Sequence, residues 1–322
     1  MPQRAILFET VNHRVAVLDL GSNTSKLLVA EKATDGSIVP VFQKSYPCRI
    51  QLEQNSDISI SGRLKILKLL KLLHTESLKH NPSDFLLVGT EVLRKTHNIS
   101  VLKEEILEKT GLKLKVLTGK QEATTVALGI KTDPNFIDLK TFHAFDLGGG
   151  SLELLEFRDN MIVTAQSLPL GSVTLNQRFV EKPESVLSTD LMDQISQHVW
   201  QSLENLYELK RDCNFLIGTG GSIAFSKQLI KSISAKHSLT DSNDYQLRQT
   251  DLKSLKDELC SLNLEERANK FPTLPIDRLD ILPCGLITVL EIMKFLKIDH
   301  IAHSFHNLRF GLVANPEITE WA

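Results

Sequence analysis

The chain has 322 residues, 42% hydrophobic and 24% charged, an ordinary composition for a soluble globular protein and enough length for two domains. Its 37 Lys and Arg against 39 Asp and Glu give a formal charge of −2, so no general basic field favours nucleic acid, and a polyanion would need a local cluster of cations. Cys48, Cys213, Cys260 and Cys284 contain no C-x-x-C pair, which argues against a disulfide scaffold or zinc knuckle and for reduced thiols in the cytoplasm.

The N-terminal stretch "MPQRAILFETVNHR" lacks an apolar core long enough for a signal peptide. "RVAVLDLGSNTSKLLVAEKA" reads as a hairpin with Asp19 at its tip. "SGRLKILKLLKLLHTESLKH" has helical spacing with a lysine-bearing face, and "DFLLVGTEVLRKTHN" and "LKLKVLTGKQEATTVALGI" each pass from strand to helix. "FHAFDLGGGSLELLEFRDN" repeats the first hairpin, 127 residues further on, with Asp146 in the place of Asp19. "DLMDQISQHVWQSLENLYEL" is an amphipathic helix, and "CNFLIGTGGSIAFSKQLI" is another strand, glycine turn and helix. "ILPCGLITVLEIMKFLKI" is broken by Glu291, Lys294 and Lys297; it reads as a buried helix, with no membrane partner implied. The strand "HIAHS" and the segment "FHNLRFGLVAN" follow.

A hairpin repeated at domain-sized separation, without a long linker, predicts two similarly built halves packed across a cleft. Three glycine turns follow apolar strands: Gly21-Ser22-Asn23, Gly148-Gly149-Gly150-Ser151 and Gly218-Thr219-Gly220-Gly221-Ser222. Such turns can aim successive backbone N–H groups at an anion. Any one of them is ordinary turn chemistry, but two that share Asp-Leu-Gly favour a common site. Asp19 and Asp146 would then approach each other, and a hard cation such as Mg²⁺, shared with phosphate oxygens, is the usual remedy for their repulsion. Read locally, Glu153 is a solvent-facing strand residue and Glu122 a first-turn helix residue favoured by the dipole.

These residues resemble the exopolyphosphatase and guanosine pentaphosphate phosphohydrolase family. The resemblance runs from about Val15 to about Val313 through "DLGSNTSKLL", "GTEVLRKTHN", "TGKQEA", "FDLGGGSLEL", "SLPLGSVTL", "GTGGSIA", "YQLRQTDL", "RLDILPCGL" and "SFHNLRFGL". It implies an α/β fold of two ribonuclease-H-like domains, as in actin, sugar kinases and chaperones, at 1–139 and 140–322, with the last helix packing back on the first domain and the active site between them. It implies Glu122 as the residue that orients or deprotonates water, with Asp146 and Glu153 in catalysis. Asp19, Asp146 and Glu153 would bind Mg²⁺ or Mn²⁺. Gly21, Ser22, Asn23, Arg94, Gly148, Gly149, Gly150, Ser151, Gly220, Gly221 and Ser222 would hold phosphate. Lys26, Arg49, Lys95 and Lys120 are further candidates along the substrate path.

The implied function is a cytoplasmic, homodimeric hydrolase releasing terminal orthophosphate from polyphosphate or a phosphorylated guanine nucleotide. Two alternatives are a phosphotransferase of the same superfamily and an alarmone-binding regulator with little turnover. The chain departs from the family pattern at Gln121, where a glutamate is usual, and at Asn307 and Phe310, where glycine and glutamate are frequent. The resemblance implies a short form, expected to lack the C-terminal helical domain of many relatives.

Overall fold

The computed structural model describes residues 13–206, 213–235 and 246–320. The N-terminal stretch read for a signal peptide, and the end of the amphipathic helix expected up to residue 209, therefore lie largely outside the described residues.

The first half contains β1 (His13–Leu20), β2 (Thr24–Lys32), β3 (Ile38–Pro47), α1 (Ile60–Leu78), β4 (Asp84–Gly89), α2 (Glu91–Arg94), α3 (Ile99–Thr110), β5 (Leu114–Val116) and α4 (Gly119–Ile130). The second contains β6 (Phe142–Leu147), β7 (Leu152–Arg158), β8 (Met161–Leu168), α5 (Ser172–Phe179), α6 (Thr189–Glu204), β9 (Leu216–Thr219), α7 (Gly221–Ala235), β10 (Gln246–Arg248), α8 (Gln249–Ser261), α9 (Leu264–Lys270), α10 (Ile276–Leu279), α11 (Leu282–Leu296), β11 (His300–His303) and α12 (Leu308–Ala314). A 3₁₀ turn, Pro316–Glu320, closes the described chain.

The first sheet has the order β3-β2-β1-β4-β5, and the second contains the same plan as β8-β7-β6-β9-β11, with β10 added at the edge. In both, three antiparallel strands precede two parallel ones. This repeated mixed sheet is the ribonuclease-H-like arrangement expected for the actin-like fold. β1 is buried along almost its whole length because strands flank it and both faces are covered, so "VAVLDL" reads as continuously apolar. Outer strand β3 is largely exposed and β8 is only half-buried, and the sequence reading assigns them no strand.

Each half has a core on its outer side, built on α1 and α3 in the first and on α6, α8 and α11 in the second. A third core runs between the sheets, from Val17 and Leu28 through Val126 of α4 and Phe310 of α12 to Phe142 and Leu155. α4 and α12 meet at backbone distance: a side chain on Gly129 would strike the Asn307 carbonyl, and one on Gly311 the Thr125 carbonyl. Thus α12, late in the chain, packs against the first half through α4 and β1. The expected division at 139 and 140 falls in the connection between α4 and β6. Phe310 lies in this core, stacked on His306 at 3.8 Å between ring centres, which gives the aromatic departure a packing role. No helix among the described residues is long and apolar enough to cross a membrane.

Candidate active site

The β1–β2 and β6–β7 turns meet between the lobes. A side chain on Gly150 would collide with Ser22 Oγ and with Glu91, so glycine is what permits the two loops to touch. Each loop is held from behind. Ser172 and Val173, at the start of α5, donate their N–H groups to the carbonyls of Gly148 and Gly149 at 3.1 and 2.8 Å. Cys48 and Arg49 donate to the Asn23 carbonyl at 3.0 and 3.2 Å, and Ile50 donates to that of Ser22 at 2.9 Å. The N–H groups of Ser22, Asn23, Gly149 and Gly150 have no protein acceptor among the described residues, which suits them to an anionic ligand.

One cavity is lined by Asp19, Glu122, Asp146 and Glu153 together with Lys26 and Arg278. Sheet geometry accounts for the convergence: Asp19 and Asp146 occupy equivalent positions near the ends of β1 and β6, and Glu153 stands directly opposite Asp146 on β7. Glu122 enters from the first turn of α4. Glu153 is only 2% exposed, unlike the solvent-facing residue suggested by local alternation, because α4 packs over that face of β7.

Burial raises the pKa of all four carboxyls. Asp19 is pushed up by desolvation and partly restored by Lys26 and Arg309. Asp146 is pushed up by desolvation, with Lys26 and Arg309 lowering it and Asp19 raising it. Glu153 is raised well above the usual range by desolvation and by repulsion from Glu122 and Asp146. Glu122 is driven by desolvation to about 7, against the lowering influence of Arg94.

Arg94 forms an ion pair with Glu122 and donates to the Leu117 carbonyl at 2.9 Å and, more weakly, to Ser167 Oγ at 3.4 Å. Ser167 in turn donates to Glu153 at 2.8 Å. Arg94 therefore organises carboxylates and does not itself line the cavity. Gly21, Ser22, Asn23, Gly148, Gly149, Gly150, Ser151 and Gly221 do line it, whereas Gly220 lines an adjoining chamber. Ser222 Oγ is buried against Ser172 Oγ at 3.0 Å. Among the other cations, Lys95 pairs with Glu91, Arg49 pairs with Asp280, and Lys120 is exposed.

The sequence reading singles out neither Arg278 nor Arg309. Arg278 hydrogen-bonds Thr24 Oγ1 across the cleft. Arg309, 7% exposed, donates to the Leu27 carbonyl at 3.3 Å and supplies positive charge near Asp19 and Asp146. Their only sequence signal is membership of "RLDILPCGL" and "SFHNLRFGL".

Gln121 completes a capping box with Thr118, and its Nε2 donates to the Ile318 carbonyl at 3.1 Å. Asn307 caps α12 by accepting from Arg309 N at 3.3 Å, and lines the cavity.

Among the described residues, no three His, Cys, Asp or Glu side chains group closely enough to hold a metal by themselves. The donor set nevertheless fits a hard cation of the Mg²⁺ type, which takes one or two carboxylates and completes its shell with water and substrate oxygens. Asp19 Oδ1 is buried without a hydrogen-bond partner, as an oxygen awaiting a cation would be.

The model of the Ppx/GppA phosphatase family matches residues 29–319. The chain belongs to that family. It is 24% identical over 303 residues to a guanosine-5'-triphosphate,3'-diphosphate pyrophosphatase of Vibrio parahaemolyticus, covering 92% of this chain and 58% of that relative. The chain thus spans little more than half the length of that relative. Among solved structures, an exopolyphosphatase from Cytophaga hutchinsonii has a TM-score of 0.82 at 20% identity, covering 96% of this chain and 98% of the other. The Ppx/GppA family member of Aquifex aeolicus has a TM-score of 0.77 at 20% identity, covering 96% and 99%. These two likenesses establish the fold.

Proposed function

We propose that the protein is a phosphoanhydride hydrolase that releases terminal orthophosphate from inorganic polyphosphate, from guanosine pentaphosphate, or from both. The observation that carries this reading is a buried Glu122, paired with Arg94, in a cavity shared by two opposed glycine loops. The amides of Ser22, Asn23, Gly149 and Gly150 would hold the oxygens of the terminal phosphoryl group, where fixed donors favour charge that water would otherwise solvate. Lys26 and Arg278 would neutralise the adjoining phosphates.

Glu122 would align the attacking water and accept its proton, while Arg94 keeps a useful fraction of Glu122 ionised near neutral pH. Asp19 and Asp146, with Glu153 beside them, would hold Mg²⁺. When bound, the ion would supply charge neutralisation at the phosphoryl oxygens.

The Vibrio relative's name supports the pentaphosphate, and the Cytophaga protein's name supports polyphosphate. Gln121 does not weigh toward a regulator without turnover, because its side chain serves the helix cap and the Ile318 contact while Glu122 is retained. The test is phosphate release from long-chain polyphosphate, guanosine pentaphosphate and ATP in parallel, with Mg²⁺ present. Release from one of the first two without any acceptor supports hydrolysis. Binding without release would replace it with the regulatory reading, and dependence on an acceptor hydroxyl with phosphotransfer.

A further inference from the structure

A groove of about 660 Å³ opens between α1 and the segment Pro47–Gln51, a volume within the range of small-molecule sites. Its floor is apolar, formed by Ile58, Ile66, Leu69 and Leu72, and its charged lining consists of Arg49, Lys65 and Lys68 without one carboxylate. Neither Lys65 nor Lys68 has an ion-pair partner among the described residues. Leu72 is 44% exposed within it. Apolar floor and cationic rim together select a ligand with an apolar body and an anionic head. A bare polyanion would leave the floor uncovered, and a cationic amphiphile would meet the unpaired charges of Lys65 and Lys68.

We propose that this groove is an inhibitory site for a small amphipathic anion, a single apolar chain bearing a carboxylate or phosphate head. Binding is argued from the groove alone; regulation also rests on the phosphatase reading. The groove wall is the same backbone that fixes the first glycine loop. Cys48 N and Arg49 N bond the Asn23 carbonyl, Ile50 N bonds that of Ser22, and Cys48 Sγ donates to the Gly21 carbonyl at 3.2 Å.

Arg49 also donates to Asn23 Oδ1 at 2.9 Å and spans the cleft to Asp280. Its φ of 25° is unusual for a side-chain-bearing residue and depends on these surrounding bonds. A head group competing with Asp280 for Arg49, or a chain displacing the wall, would loosen both the loop and the interlobe contact. Coupling between the two ligand sites must be reciprocal.

Isothermal titration of the full chain with decanoate and with decyl phosphate tests the binding and distinguishes the head groups; decyltrimethylammonium is the control. One saturable site is expected, with affinity for at least one anion about ten-fold above the control. In the presence of Mg²⁺, saturation should weaken tripolyphosphate binding about five-fold or more, with the reverse factor equal, within the usual range of coupling. Leu72→Glu, at an exposed position, should abolish amphiphile binding and leave tripolyphosphate affinity unchanged.

Absence of saturable anion binding, equal binding of the cation, or indifference to Leu72→Glu overturns the site. Formation of a dimer that buries the groove and excludes both anions also overturns it. Binding without reciprocal coupling overturns the inhibition. If no substrate releases phosphate while binding and coupling persist, the hydrolase reading fails alone.

Discussion

The guanidinium of Arg94 forms an ion pair with the carboxylate of Glu122, while its remaining donors reach the Leu117 carbonyl and Ser167. A carboxylate fixed in this way is positioned to act on one water molecule. Glu122→Gln keeps the shape and removes the base. The fold and tripolyphosphate binding should persist, while kcat for phosphate release falls by about 10²–10⁴-fold. Thermal melting and initial rates check both parts, and near-normal turnover would remove Glu122 from the role.

The same pair sets a pH dependence. Glu122 acts as a base only when ionised, and its pKa is about 7. With saturating Mg²⁺, kcat/KM should therefore rise with pH through an acid limb near or below about 7, since an added cation can only favour the carboxylate. Arg94→Met removes the opposing charge, so burial acts with less compensation and the limb should move to higher pH. A pH–rate profile for each protein provides the comparison. An unmoved limb would assign the ionisation to another group.

Arg49 reaches from the first lobe to Asp280 with contacts of 2.5 and 3.1 Å, and to the Asp277 carbonyl at 2.8 Å. Asn23 donates to that same carbonyl at 3.3 Å. Because Arg49 also holds Asn23, losing the pair should displace the first glycine loop and raise KM more than it lowers kcat. In a cycle of Arg49→Ala, Asp280→Ala and the double variant, the coupling should be about 0.5–3 kcal/mol, as for residues in one hydrogen-bond network. Additive effects on melting and KM would mean that the contact is incidental.

Both acid-tipped hairpins were legible in the sequence because β1 and β6 are central strands, buried on both faces, that stop abruptly at glycine. Their convergence followed from the repeated plan. Strands β3 and β8 were not legible, since neither alternates regularly between apolar and polar residues and β3 is interrupted by Pro40. Arg94 was legible as a site residue through its motif, but its partner was not: that Glu122 and Arg94 meet depends on how α2 and α4 emerge from neighbouring strands. Arg309 was hidden for a similar reason. Its place near Asp19 and Asp146 exists only because α12 returns to pack against α4 and β1.

Gln121 offers a test of a departure that local structure explains. Its side-chain oxygen accepts from Thr118 N at 2.7 Å, a role glutamate can fill, but its Nε2 donates to the Ile318 carbonyl, a role glutamate cannot fill when ionised. Gln121→Glu should preserve the cap, set a carboxylate against a carbonyl oxygen and lower stability by about 1–3 kcal/mol, the usual cost of an unsatisfied buried group. Denaturant unfolding checks this. Unchanged stability would show that the Ile318 contact contributes little.

The four acids of the cavity should also give the ligand-free protein an identifiable stability slope. Each has a folded pKa above its ordinary value, so the native state retains protons that the unfolded chain releases near pH 4, as ordinary carboxyls do at about that value. By linkage, their stabilising contribution is complete below the unfolded values and is lost as pH rises through the folded ones, about 7 for Glu122. His303, lowered by burial to about 4, acts in the opposite sense, but its effect is finished above about pH 6.5, the ordinary histidine value. Between about pH 6.5 and 8, in the presence of a chelator, the melting temperature should fall. Mg²⁺ with tripolyphosphate should reduce the slope by supplying charge that stabilises the ionised forms, and Glu153→Gln should reduce it by removing one titrating group. Melts at the two pH values, for the wild type and this variant, decide the matter: a flat wild-type response would mean that the cavity does not hold its carboxyls above their ordinary range.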